Sequence, residues 1–174
     1  ALNSIQKGLD QITEIISAMK RFSYKDMRSS LTPTELNLII KDCISISRNE
    51  WKKSAAMETE LDDGLPLVPC RVSEISQVVL NLILNASHAI SGLKKNEIGK
   101  IRVSTTMEDE EQVRVSVADD GGGIPEDAAE RVFEPFFTTK EMGVGTGQGL
   151  AISYNLVVER HRGKIFFDTV EGEG

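Results

Sequence analysis

Three groups of residues in this chain have the types and spacing to do chemistry. Asn81 and Asn85 lie one helical turn apart in an otherwise almost wholly apolar helical stretch, so their amides share one face and need partners. An asparagine carbonyl oxygen so placed can complete a Mg²⁺ shell made otherwise of phosphate oxygens and water. The plainer reading is that both amides bond neighbouring loops. Asp119-Asp120-Gly121-Gly122-Gly123-Ile124-Pro125 follows a strand, which pushes Asp119 partly out of water beside glycines that admit a flat ligand. A carboxylate there accepts from an exocyclic amine, and it selects adenine over guanine, whose carbonyl would meet it lone pair to lone pair. An Asx-type turn is the competing explanation. Third, Gly145-Thr146-Gly147-Gln148-Gly149 runs straight into a helix, where freed backbone N–H groups attract an anion such as a triphosphate. The same glycines could simply cap and turn.

Other chemistries are removed by what is missing. The 145–149 loop lacks the Lys-Ser/Thr that completes a P-loop, and no set of glycines satisfies G-x-G-x-x-G. Asp168 lies at a distance suited to a ribose contact, but 138–140 is no buried parallel strand, so dinucleotide binding is disfavoured. Cys43 and Cys70 stand apart from any Cys/His cluster, which disfavours zinc, iron-sulfur and disulfide scaffolds and points to a reducing compartment. With Lys+Arg 20 against Asp+Glu 27, a formal charge of −7 and no long basic run, nucleic acid is not an expected partner. No apolar run approaches the roughly 20 residues that cross a bilayer, so no direct membrane contact is expected of these residues. The expected location is cytoplasmic, with an anchor elsewhere in a longer protein left open.

The elements that must position these groups follow from pattern. At 174 residues and 40% hydrophobic the chain can bury a core without a structural metal. Leu2, Ile5, Leu9, Ile12, Ile16 and Met19 repeat as the a/d seam of a helix that packs on other helices. A loop through Leu31-Thr32-Pro33-Thr34 then supplies a hydroxyl N-cap, with a boundary near residue 30. A helix is expected over 35–54, a strand over 57–61, a strong helix over 73–90 and a hairpin of 101–104 with 113–117. Half of the 14 glycines fall between 121 and 149, a density only loops accept. A helix over 150–159, stopped by Gly163, and a strand over 164–169 complete the order. His161 reads as a solvent-facing cation at that helix's end.

Together these segments resemble the four motifs of sensor histidine kinases. Residues 77–86 resemble the N box, 119–125 the first glycine box, 131–140 the F box and 145–153 the second glycine box. Their order and spacing match over about 70–170, and 1–30 is similar to the second helix of the family's dimerisation and phosphoacceptor hairpin plus a linker. The resemblance implies a catalytic ATP-binding domain over 31–174, an α/β fold: a two-layer α/β sandwich of the Bergerat type, shared by gyrase, Hsp90, histidine kinase and MutL, preceded by a coiled-coil-type helix. By position it implies that Asp119 contacts adenine, that Gly121, Gly123 and Ile124 shape the pocket, and that Asn85 holds Mg²⁺ with Asn81 supporting the phosphates. Ala86 and His88 fall in the same ATP site, His88 where many relatives carry a basic residue. Gly145, Thr146, Gly147, Gln148, Gly149 and Leu150 would cradle the triphosphate, and Phe136, Phe137, Thr138, Thr139 and Lys140 form the root of a lid whose freedom comes from Gly143, Gly145 and Gly147. Gly122 departs from the family, where proline is frequent, and the chain stops before the strand that pairs with 164–169 in relatives.

The implied activity is transfer of the ATP γ-phosphate to a histidine on the dimerisation helices, for relay to a response-regulator receiver aspartate, in a protein that is a homodimer. Gyrase-like and Hsp90-like ATPases place a glutamate where this chain has Asn81, an amide that takes no proton at neutral pH. Transfer to an already nucleophilic imidazole is therefore favoured over hydrolysis. Neither His88 nor His161 stands in a phosphoacceptor sequence, so this stretch is expected to bind Mg-ATP without phosphorylating itself. The alternatives are an ATP-driven conformational ATPase, a serine-directed kinase on the same fold, and a nucleotide-free scaffold acting through its helical seam.

Overall fold

The computed structural model describes residues 30–93, 97–140, 145–172 and 174, so the seam of 1–24 and Gly143 lie outside the described residues. Alternation of side chains builds the sheet. In β4 (Gly99–Met107) Ile101, Val103 and Thr105 are buried while Lys100 and Arg102 face solvent. β4 is the middle strand of three: β2 (Ala55–Leu61) pairs with it in parallel, Ala55 opposite Gly99, and β5 (Val113–Asp119) antiparallel, Ile101 opposite Asp119. A parallel neighbour needs a crossover, and the 21-residue helix α3 (Val72–Gly92) supplies most of it.

α3 has two working faces. Val79, Ile83, Ala86 and Ile90 repeat at helical spacing and are buried with Ile101 and Val103 of the sheet and with Leu36, Ile39, Ile40 and Cys43 of helix α1 (Leu36–Ile46). Ile40, Ile83 and Ile101 are fully buried, each contributing about 1.5–3 kcal/mol. Asn81, Asn85 and His88 form the other, half-buried stripe. Helices on one face of a mixed sheet give the expected two-layer sandwich. Thr105, a hydroxyl on the core face, is satisfied by Asn37: its Oγ1 donates to Asn37 Oδ1 at 2.9 Å and accepts from Asp62 N at 3.0 Å.

Four local expectations are corrected. Thr34 caps no helix. Residues 32–34 form β1 (Thr32–Thr34), antiparallel to β3 (Val68–Cys70), and Pro33 faces Pro69, a pairing that needs no N–H from either; Thr34 Oγ1 donates to Thr32 O at 2.8 Å instead. The 35–54 helix breaks into α1 and α2 (Arg48–Trp51) at Ser47, whose Oγ donates back to Cys43 O at 2.7 Å and competes with the helical ladder. The 150–159 helix starts as α5 (Gly149–Tyr154) and widens into a π-helical turn at Asn155–Arg160, and its left-handed closing residue is Arg162, φ 55°, not Gly163. Residues 164–169 alternate half-buried and exposed but join no ladder among the described residues. Extended backbone becomes a strand only when a neighbour takes its hydrogen bonds. Side chains hold this segment instead, with Arg114 5.2 Å from the Phe166 ring and the Phe133 and Phe167 rings 6.0 Å apart. The last helix, α4 (Glu126–Ala129), follows the first glycine segment.

Candidate functional site

The polar stripe of α3 faces the glycine segments. Asn81 Nδ2 donates to Gly149 O at 3.0 Å and reaches Ser153 Oγ at 3.3 Å, while Ser153 Oγ donates to the same Gly149 carbonyl at 2.9 Å. Asn81 therefore clamps the start of α5 to α3. Ser153 is fully buried and was not among the expected site residues; its signal was the four-residue step from Gly149, which turns it toward α3.

One turn on, Asn85 Oδ1 accepts from Lys140 Nζ at 3.0 Å, and Lys140 Nζ lies 3.2 Å from His88 Nδ1. An ammonium has donors only, so Nδ1 of His88 is the acceptor and its proton sits on Nε2. His88, expected near the phosphates from its place in the motif, thus lies beside Lys140, which belongs to the 131–140 segment. Ala86, expected in the site, is 3% exposed and its side chain packs in the core, because position 86 falls on the apolar stripe of α3.

Asp119 closes β5 at the opposite wall. Its Oδ1 accepts from Gly121 N at 2.9 Å, the Asx geometry, and among the described residues no donor reaches Oδ2. Burial pushes the Asp119 carboxyl up from its ordinary range, with the Asp120 charge adding to the rise and the Gly121 N–H and Lys140 opposing it. Burial pushes the Lys140 ammonium down, and Asp119 opposes that. Two half-buried groups of opposite charge thus temper each other across the site.

Glycine is required where the loops press on their surroundings. A Cβ on Gly121 would stand 2.5 Å from Asp119 Oδ1 and 2.6 Å from Ala89 Cβ of α3. Gly123 takes φ 68° against the carbonyl of Val170, and Gly147 φ 66° with a Cβ position 2.5 Å from the Phe136 carbonyl carbon. Gly149 has ordinary room, its Cβ position 3.7 Å from Asn81 Cγ, so its contribution is its carbonyl. A Cβ on Gly145 would stand 3.1 Å from Lys140 Cδ. Thr146 Oγ1 accepts from Gln148 N at 3.4 Å, and Leu150 is half-buried behind it. Ile124 N donates to Thr169 Oγ1 at 2.8 Å and Gly172 N to Gly122 O at 2.9 Å, so residues 169–172 strap the first glycine segment. Thr169 is a second residue that motif spacing missed.

In the 131–140 segment, Arg131 sits 4.4 Å over the Phe137 ring, Thr138 Oγ1 accepts from Lys140 N at 3.1 Å, and Thr139 is exposed. Phe136 is 68% exposed at φ 66°. His161 is no solvent-facing cation. Its side chain is 9% exposed, Nε2 accepts from Arg71 N at 3.1 Å and Nδ1 donates to Leu156 O at 2.7 Å, beside Glu74, Arg71 and Arg160.

Among the described residues no cluster of three or more His, Cys, Asp or Glu is placed to hold a metal, and no helix is long and apolar enough to cross a membrane. The geometry offers a half-buried carboxylate, a cation seat on an asparagine oxygen, and glycine turns beside them.

A family model described as histidine kinase-, DNA gyrase B- and HSP90-like ATPase matches residues 71–174. Sporulation kinase E of Bacillus subtilis is 34% identical over 137 residues, 78% of this chain and 18% of that protein. The sensor histidine kinase ZraS of Escherichia coli is 34% identical over 169 residues, 97% of this chain and 35% of that one. The chain thus spans 18–35% of the length of these relatives. Among solved structures, the catalytic domain of histidine kinase ThkA superposes with a TM-score of 0.66 at 33% identity, covering 79% of this chain and 86% of that one. ThkA in complex with the response regulator TrrA superposes with a TM-score of 0.73 at 29% identity, covering 98% of this chain and 47% of the other.

Proposed function

Because this chain belongs to the histidine kinase-, DNA gyrase B- and HSP90-like ATPase family, we propose that it is the ATP-binding catalytic unit of a two-component sensor histidine kinase. The observation that carries the reading is the pairing, in one site, of a half-buried Asp119 carboxylate whose Oδ1 accepts from Gly121 N and an Asn85 oxygen already holding a cation. The first suits the exocyclic amine of adenine; the second shows that the asparagine oxygen accepts positive charge. Both fit Mg-ATP, and the turns at Gly121, Gly123 and Gly147 are held in place by close packing on Asp119, Ala89, Val170 and Phe136 that a side chain would disturb. A divalent ion would take Asn85 and complete its shell with oxygens that the nucleotide and water bring. When bound, Mg-ATP would supply the γ-phosphoryl group and the counter-charge that makes its transfer feasible.

The residues themselves would do the rest. Asp119 selects the base, Asn81 and Ser153 hold the α5 start against α3, Lys140 carries positive charge beside Asn85, and Thr146, Gln148 and Leu150 border the phosphate side with Thr138. At the position from which a general base would activate water, Asn81 is an amide already bonded to Gly149 and Ser153. That favours transfer to an imidazole nucleophile over hydrolysis. In the transfer the bond from the γ-phosphorus to its bridging oxygen breaks, a phosphorus–nitrogen bond forms, and ADP leaves. His161, with both ring nitrogens bonded, and His88, bonded to Lys140, are not acceptors in this arrangement. The acceptor would stand on dimerisation helices like those the 1–24 seam resembles, in a homodimer, and by likeness to the ThkA complex a response-regulator receiver would take the phosphoryl group onward.

The test is calorimetric titration of the chain with a non-hydrolysable ATP analogue and Mg²⁺, with Asn85→Ala beside it, and radiolabelled γ-phosphate on the chain alone. Binding lost in the variant, with no label incorporated, is expected. Absence of binding by the wild type overturns the assignment, and label on this chain overturns the expectation that it does not phosphorylate itself.

A further inference from the structure

Lys140 lies close to Asn85 in space but 55 positions away in sequence, and its ammonium already rests on the oxygen that a divalent ion would take. Three features make the contact a built one. The side chain is half-buried, its backbone N–H is pinned by Thr138 Oγ1 at 3.1 Å, and a Cβ placed on Gly145 would stand 3.1 Å from its Cδ, so a larger residue there would press on it. The second acceptor, His88 Nδ1, lies on the same face of α3, so the ammonium is aimed by two groups of one rigid helix.

Resting on the nucleotide-site reading above, we propose that Lys140 determines how strongly nucleotide binding depends on divalent metal, because its ammonium is an internal surrogate for the metal at Asn85. Without metal, Lys140 supplies the positive charge beside the phosphates. With metal, the two compete for the Asn85 oxygen, which has one favourable seat for a cation, and like charges at that distance repel. Lys140 must then leave Asn85 and keep only His88 or a phosphate oxygen. The lysine is a positioning and specificity group for the ligand's charge state, and it takes part in no bond-making.

The discriminating experiment measures binding rather than turnover. A non-hydrolysable ATP analogue is titrated calorimetrically into the full chain in excess EDTA and in saturating Mg²⁺, for the wild type, Lys140→Gln and Lys140→Arg, with melting temperature checked for each. The glutamine variant is expected to lose about tenfold or more in EDTA, about 1.4 kcal/mol at least, and no more than about threefold in saturating Mg²⁺. Its half-saturating Mg²⁺ concentration falls, since nothing competes for Asn85. The arginine variant restores most of the metal-free binding. In the unliganded wild type, ¹⁵N spectra show His88 with its proton on Nε2, and Mg-analogue shifts the Nδ1 signal. Equal losses in EDTA and Mg²⁺ would make Lys140 an ordinary phosphate contact and overturn the proposal, as would no loss in either. Failure of the wild type to bind under both conditions would overturn the nucleotide-site reading as well, and so is a distinguishable result.

Discussion

Replacing Asp119 by asparagine separates ligand recognition from stability. In the wild type Oδ1 is held by Gly121 N at 2.9 Å and Oδ2 has no protein donor among the described residues. In Asp119→Asn the amide oxygen can keep the Gly121 bond, which turns the NH₂ toward the base, donor facing donor. A charge-assisted hydrogen bond to a buried carboxylate is worth about 1.5–3 kcal/mol, so affinity for an ATP analogue is expected to fall by about 10- to 150-fold. Discrimination against a GTP analogue shrinks with it, because the new NH₂ can meet the guanine carbonyl. Stability without ligand moves the other way. Asp119 has a folded-state pKa raised chiefly by burial, so its stability contribution is fully present below the unfolded pKa and is lost as pH rises through the folded value. At pH 7 the wild type carries the cost of the buried charge and the neutral variant does not. Denaturant unfolding should find Asp119→Asn at least as stable as wild type at pH 7, with the difference shrinking as pH falls through the carboxylate range. Unchanged affinity, or a variant less stable at pH 7 that recovers at neither end, would refute the reasoning.

Gly121→Ala places a methyl 2.5 Å from Asp119 Oδ1 and 2.6 Å from Ala89 Cβ; the loop must shift, and a loss of about 1–3 kcal/mol in urea unfolding is expected, with weaker analogue binding. Ser153→Ala removes one of two side-chain donors to the Gly149 carbonyl and the Asn81 partner. A loss of about 1 kcal/mol is expected, and hydrogen exchange at the start of α5 should rise while the sheet amides stay protected.

Much of the architecture was legible because it depends on local periodicity. The apolar residues Ile75, Val78, Val79, Leu82, Ile83, Leu84 and Ile90 wrapping the 73–90 run mark α3, and the period-two runs mark β4 and β5; Val79, Ile83 and Ile90 survive into the core with Ile101 and Val103. Where the expectation slipped, a non-local partner or a side-chain bond had decided. Ser47 turned the chain out of a helix that its apolar spacing would have continued, and 164–169 has a strand's alternation without the neighbour that makes a ladder. Ala86 sits beside Asn85 in the motif, but adjacent helical positions point about 100° apart, and its side chain is buried in the core.

What the amino-acid order by itself determined is the set of reactive groups and the faces they occupy: the amides of Asn81 and Asn85 on one stripe, the carboxylate of Asp119 at a strand end, glycines dense enough to force loops. These follow from bond geometry within a few residues. What only the tertiary structure decided is who meets whom. Lys140 reaching Asn85 and His88, Ser153 sharing Gly149 with Asn81, and Thr169 holding Ile124 are contacts across 55, 72 and 45 positions. No spacing rule encodes them, because each exists only once the helix, the sheet end and the glycine turns have been packed against one another.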